Sequence, residues 1–232
     1  MARNVLAVCW RQWRAERALD RRGVHFRSTV PAAVAAAYAA MSAAEFEAIN
    51  GPQAWANWRT IPRAVRGRLP DRPCRVIDLG CGTGTSTQVL AYATPPGSLI
   101  VGYEQSAQLL AHTGRREYVH RGGHPANIRF VCQGVTEPFR GPDGGRLANG
   151  SVDLVSASGV VGHHLNTGTI RPLVGELRRV VIPGGLALLD YGPTLPAAAL
   201  VSLLGAAGFL PLGHYRSWPL ARSGQVAFRR PG

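Results

Sequence analysis

From Arg75 to its end, the chain alternates short apolar runs with helix-like segments. The apolar runs are Arg75–Leu79, Leu99–Tyr103, Ile128–Val131, Asp153–Ala157 and Leu186–Asp190. They are rich in Val, Leu and Ile, as strands covered on both faces should be. Thr85–Ala93, Ser106–Arg116 and Thr169–Val181 read as helices, the last stopped by Pro183, Gly184 and Gly185. This alternation predicts an α/β fold with a doubly wound, mostly parallel sheet and right-handed crossovers. The pattern then changes. A helix over Pro196–Ala207 is closed by Gly208. Two strand-like runs follow, Leu210–Trp218 and Gln225–Arg229, with a turn around Ser223 and Gly224. Such spacing resembles a hairpin and predicts an antiparallel C-terminal strand, which makes seven strands in all.

The first seventy residues read as helical. Ser42 and Glu45 have the spacing of a capping box, and Pro31 suits a first helical turn. Gly51 and Pro52 break the chain before Gln53–Leu69. The expected organisation is an N-terminal helical cap or lid, residues 1–70, on a Rossmann-like domain, residues 71–232.

The densest chemistry lies at residues 75–84, Arg-Val-Ile-Asp-Leu-Gly-Cys-Gly-Thr-Gly. A buried strand here turns sharply into a helix, and alternate glycines let a ligand approach the backbone. The spacing is not that of a dinucleotide site. In G-x-G-x-x-G the third glycine would fall at Thr85, whereas here it falls at Gly84. Asp78 would also repel a pyrophosphate and suits a cationic ligand.

With Val-Ile-Asp-Leu-Gly-Cys-Gly-Thr-Gly, the chain resembles the class I S-adenosylmethionine-dependent methyltransferases over roughly its last two-thirds. Their cofactor, S-adenosyl-L-methionine, carries a sulfonium, an ammonium and no phosphate. The resemblance implies cofactor contacts from Asp78, Gly80, Cys81, Gly82, Thr83 and Gly84. Glu104 and Gln105 follow the second strand, roughly twenty residues past the glycines. A carboxylate there offers a bidentate acceptor for two ribose hydroxyls. Gly134 and Val135 follow the third strand and Ser158 the fourth. Val135 departs from the family, which often places an Asp there for the adenine amino group. Gln133, Thr136 or a backbone carbonyl is then left to take that contact.

His163 and His164 are candidate general bases, because imidazole titrates near neutrality. Capping or packing in the following segment is the alternative for both. Tyr38, Trp55, Trp58, Arg59 and Tyr191 are candidates for the wall of an acceptor pocket, with core packing as the alternative for each aromatic. No metal is expected, since no carboxylate and histidine cluster has ligand spacing.

The chain has 232 residues and a formal charge of +13, and all 26 basic residues are Arg. Such an excess can mark a nucleic-acid binder. These arginines are spread along the chain, however, and no Asn-Pro-Pro-Tyr-like sequence follows the fourth strand. The four cysteines form no Cys-x-x-Cys pair, which points to a reducing cytoplasm. The apolar stretches near the N-terminus are too short for a signal-peptide core or a bilayer span. The expected activity is methyl transfer to a small-molecule acceptor. The alternatives are an RNA methyltransferase and a cofactor-binding protein without catalysis.

Overall fold

The apolar runs form one sheet, and the helices cover both of its faces. The structure, a computed structural model, describes residues 5–219, 221 and 223–232. Among them, four helices come first: α1 (Val5–Arg21), α2 (Pro31–Ala39), α3 (Ala43–Ile49) and α4 (Gly51–Val65). Next are β1 (Arg75–Leu79), α5 (Thr85–Ala93), β2 (Leu99–Glu104), α6 (Ala107–Thr113) and β3 (Asn127–Cys132). Then come β4 (Val152–Ala157), α7 (Val161–His164), α8 (Arg171–Val180) and β5 (Val181–Tyr191). The chain closes with α9 (Ala197–Ala206), β6 (Leu210–Tyr215) and β7 (Gly224–Arg229).

The strand order is β3-β2-β1-β4-β5-β7-β6. The first five strands run parallel, and β7 pairs antiparallel with both β5 and β6. The chain winds outward from β1 to β3 and then returns to β4 on the other side. That reversal opens a crevice at the carboxyl ends of β1 and β4, where doubly wound sheets bind ligands.

Successive strand residues point to opposite faces, so each strand feeds two cores. Ile77, Leu79, Val155 and Leu189 pack with Leu173 and Leu177 of α8 and with Leu200 and Leu204 of α9. Val76, Ile100, Leu154 and Leu188 pack with Ile61 and Val65 of α4 and with Val89 and Leu90 of α5. The N-terminal segment is therefore divided. Helix α4 belongs to the sheet's own covering layer, while Leu19, Val24, Ala37, Met41 and Ile49 form a small separate cluster in α1–α3 and the link after α1.

The Ser42 capping box forms, with Glu45 N donating to Ser42 Oγ at 3.2 Å and Ser42 N donating to Glu45 Oε2 at 2.9 Å. One expected boundary is different. Strand β5 begins at Val181 and not at Leu186, so Pro183, Gly184 and Gly185 lie inside it. The buried Val181 pairs with Val152, and Gly184, at φ +79°, accommodates an irregular start before the register resumes at Leu154 and Leu186. The expected strand to Trp218 also stops early, at Tyr215.

The loop after β3 is tied down by Glu176 of α8. Its carboxylate accepts from Phe139 N at 3.0 Å, Arg179 Nη2 at 2.6 Å and Arg146 Nη2 at 3.2 Å. The Arg179 hydrogen bond, aided by the Phe139 amide and Arg146 against the cost of burial, pulls its pKa from 4.5 down to about 2. A depressed carboxylate pKa adds stability that is complete above the unfolded value and is lost as the pH falls through the folded one. Glu176→Gln should therefore cost about 1.5–3 kcal/mol near neutrality. In urea titrations, its deficit against wild type should shrink as the pH drops from about 4.5 towards 2. A deficit independent of pH would show that the charge is not what holds the loop.

Candidate functional site

The turn that leaves β1 is built from residues that only glycine can supply. Gly80, Gly82 and Gly84 have φ of +64°, +52° and +82°. A Cβ on Gly80 would strike the Val160 side chain, one on Gly82 the Phe46 ring, and one on Gly84 the Tyr118 hydroxyl. The turn is pinned by Cys81 N donating to Tyr103 O at 3.0 Å and Gly84 N donating to Cys81 O at 2.8 Å.

Beneath the turn lies Asp78, fully buried. Its Oδ2 accepts from Ser86 Oγ at 2.8 Å and Thr87 Oγ1 at 2.7 Å, both in the first turn of α5. Its Oδ1 has no hydrogen-bond partner among the described residues. Burial pushes its pKa up to about 6, against the two hydroxyl bonds, and the nearby Glu104 charge adds to the rise. Glu104, at the end of β2, is 7% exposed. Its Oε2 accepts from Gly82 N at 3.1 Å and its Oε1 from Ser106 N at 2.9 Å. Burial raises its pKa too, opposed by backbone amides.

A third acid shapes the opposite wall. Asp190, at the end of β5, accepts from Val160 N at 3.1 Å, Val161 N at 3.0 Å and Gly162 N at 2.9 Å. These amides open the short helix α7, and a Cβ on Gly162 would collide with the backbone at Tyr191 and Gly192. His164 is thereby fixed. Its Nδ1 lies 3.2 Å from Ser28 O, and its Nε2 lies 2.8 Å from Tyr38 Oη of α2. A carbonyl only accepts, so Nδ1 carries the hydrogen and Nε2 accepts the Tyr38 hydroxyl. Burial lowers the His164 pKa, the Ser28 carbonyl opposing. The Tyr38 phenol is raised by burial and by Glu104, so it keeps its proton.

Between these walls is a cavity of about 110 Å³, whose lining includes Tyr38, Phe46, Gly80, Glu104, Val135 and His164. Gln105, Gly134 and Ser158 also line it, whereas Cys81, Gly82, Thr83 and Gly84 form the turn behind it. Ser158 is held from α4, with Gln53 Nε2 donating to Ser158 Oγ at 2.9 Å and to Asn57 Oδ1 at 2.8 Å.

Four expected wall residues do not reach the cavity. Trp58 packs edge-on to Tyr92 of α5, with ring centroids 5.3 Å apart. Arg59 sits 4.0 Å over the Trp55 ring. Tyr191 is buried, its hydroxyl accepting from Arg216 Nε at 2.9 Å. The reason is rotational: α4 turns Ile61, Ala64 and Val65 to the sheet and Gln53 and Asn57 towards Ser158, which carries Trp55, Trp58 and Arg59 elsewhere. Of the two histidines, His164 lines the cavity and His163 does not. Phe46, Asn57 and Asp190 were not anticipated. Asp190 carries the signal that marks Glu104, an acid closing an apolar strand. Among the described residues, no group of three or more His, Cys, Asp or Glu is placed to hold a metal ion, and no single helix is long and apolar enough to cross a membrane.

Residues 76–185 match the methyltransferase-domain family. Release factor glutamine methyltransferase of Escherichia coli K12 is 26% identical over 135 residues, 54% of this chain and 49% of that protein. Demethylmenaquinone methyltransferase of Thermus thermophilus is 33% identical over 138 residues, 59% of this chain and 54% of that protein. The chain thus spans about half the length of these curated relatives. Magnesium protoporphyrin IX methyltransferase of Synechocystis PCC 6803, solved with S-adenosylmethionine bound, superposes with a TM-score of 0.59 at 17% identity. The match covers 80% of this chain and 83% of that one, and at that identity the likeness is one of fold.

The buried acid gives the site a pH signature. Folded protein keeps a proton on Asp78 up to about pH 6, whereas the unfolded chain releases it near 3.8. Unfolding between those values sheds protons, so this group makes stability fall as the pH rises through the window. Asp78→Asn should remove that contribution, and its thermal midpoint should gain on wild type from pH 4 to pH 6.5. A constant difference across that range would mean that Asp78 is already ionised in the fold.

Proposed function

Because residues 76–185 match the methyltransferase-domain family, we propose that the chain transfers a methyl group from S-adenosylmethionine to a small-molecule acceptor. The observation that carries this reading is Glu104, a buried carboxylate lining the cavity beside a left-handed glycine turn. The residues present fit the cofactor. Glu104 has lone pairs left for two ribose hydroxyls, and the turn lies open to a backbone approach. Asp78, with one orphaned oxygen, sets a negative charge under the turn that favours a cation and disfavours phosphate. When bound, the cofactor supplies an electrophilic methyl on a sulfonium. The work of the side chains is then alignment and exclusion of water.

Adenine recognition falls to Thr136 or to backbone groups. The Gln133 amide already donates to Pro138 O at 3.1 Å and Glu137 O at 3.4 Å, and its oxygen accepts from Arg140 N at 3.3 Å. Val135 then offers an apolar surface to the ring.

The cap acts as a lid. A cavity of about 110 Å³ lies well below the roughly 300 Å³ at which small-molecule sites begin. Phe46 rests on Gly82, where a ligand must approach. Admission therefore requires α2 and α3 to lift. Their tie to the glycine turn is weak: Glu47 meets Arg116 at 3.2 Å with 43% and 34% of their side chains exposed. A pair so exposed contributes under about 1 kcal/mol. Helix α4, whose apolar face is in the sheet's core, stays in place. Buried free thiols at Cys74 and Cys81 suit a reducing cytoplasm.

Calorimetry should show S-adenosylhomocysteine binding and no comparable NAD binding, and the opposite ranking would sink the reading. Glu104→Ala should weaken S-adenosylhomocysteine by about 1.5–3 kcal/mol, and unchanged affinity in a folded variant would remove Glu104 from the site. Hydrogen exchange should be fast in α2 and α3 and slow when the ligand is added, while α4 stays protected in both states. Uniformly slow, ligand-independent exchange over residues 31–49 would rule out the lid.

A further inference from the structure

The cavity has an unusual electrostatic character for this chain. The protein has 26 arginines, yet among the described residues no guanidinium lines the cavity. The charged group on its wall is the Glu104 carboxylate. Around His164 the lining is apolar, with Val34, Val160 and Leu165. An anionic acceptor would shed its water beside a carboxylate and meet no counter-charge.

Besides uncharged polar groups such as Asn50 and Ser158, the wall carries a hydrogen-bonded pair. Tyr38 Oη donates to His164 Nε2 at 2.8 Å, and His164 Nδ1 donates to Ser28 O at 3.2 Å. The hydrogen of Tyr38 is committed to His164, so its oxygen faces the cavity as an acceptor. It can take a hydrogen bond from an O–H group. The titratable neighbours of the pair are Glu104 beside Tyr38, and His163 and Asp190 beside His164.

We propose that the methyl acceptor is an uncharged, largely apolar hydroxyl compound of the phenol or enol class, and that Tyr38 and His164 receive its proton. This rests on the methyl-transfer reading above. The acceptor oxygen forms a bond to the methyl carbon as the sulfonium S–C bond breaks, and sulfur keeps the electron pair. The hydroxyl proton passes to Tyr38 Oη, while the proton of Tyr38 passes to His164 Nε2. The products are a methyl ether, S-adenosylhomocysteine and an imidazolium whose Nδ1–H stays on the Ser28 carbonyl. Tyr38 touches the acceptor, and His164 acts through it.

The test begins with protein saturated with S-adenosylhomocysteine. A series of neutral phenols with one to three rings is titrated calorimetrically against carboxylates of matched shape, such as 2-naphthol against 2-naphthoate. At least one phenol should bind about tenfold or more tightly than its carboxylate. No phenol exceeding its matched carboxylate would overturn the proposal. If S-adenosylhomocysteine itself fails to bind, the fault lies with the methyl-transfer reading and not with the acceptor class.

Tyr38→Phe and His164→Gln should both retain S-adenosylhomocysteine affinity, which shows that they fold. With the best phenol and S-adenosylmethionine, wild-type kcat should be level above neutral pH. In His164→Gln it should fall by about a hundredfold or more and then climb with pH. A His164→Gln variant with wild-type kcat and the same level profile would overturn the proton route.

Discussion

Two carboxylates buried side by side without a cation govern the head of this sheet. Asp78 and Glu104 lie near the ends of neighbouring parallel strands, and no ion pair reaches either among the described residues. They are held by hydroxyls of α5 and by backbone amides, and burial raises both their pKa values. Holding Glu104 on Gly82 N requires the left-handed turn, and the turn in turn requires glycine at three alternate positions. Most of the arginine charge lies elsewhere, on surfaces where it costs little. A ligand that brings positive charge and hydroxyl donors into this corner offsets the cost of burying both carboxylates.

The opposite wall repeats the device. Asp190 caps the start of α7 with three amides, and the close approach at Gly162 fixes the helix against Tyr191. Glu104 and Asp190 thus do different work with the same arrangement of an acid at a strand's end. One stays open to the cavity, and the other is used up in orienting His164. That histidine then reaches across to α2, so the proposed base and the proposed lid meet in one hydrogen bond. On that proposal, closing the lid and completing the proton route are a single event.

Much of this was legible in the sequence where the determinants were local. The run Val76–Leu79, the glycine spacing and Glu104 marked out the first βαβ unit and the corner proposed to hold the cofactor, because strand burial and left-handed backbone leave direct marks on residue choice. Other parts were not. Trp55, Trp58 and Arg59 looked like pocket residues by type, but the rotation of α4 about its axis decides what they face, and Ile61 and Val65 fix that rotation through the core. The start of β5 was placed too late because Pro183 and two glycines look like a break, whereas the buried pairing of Val181 with Val152 continues the chain as strand directly after α8. Tyr38 and His164 are 126 residues apart, and no local pattern announces such a pair.

The account stands on one coupling: cofactor held by Glu104 at the glycine turn, with Phe46 displaced to admit it. A crystal structure of the complex with S-adenosylhomocysteine tests this most directly. The account predicts both ribose hydroxyls on the Glu104 carboxylate and the Phe46 ring moved off Gly82, with α4 unmoved. A ligand bound with Phe46 still seated on Gly82, or bound away from Glu104, would contradict it.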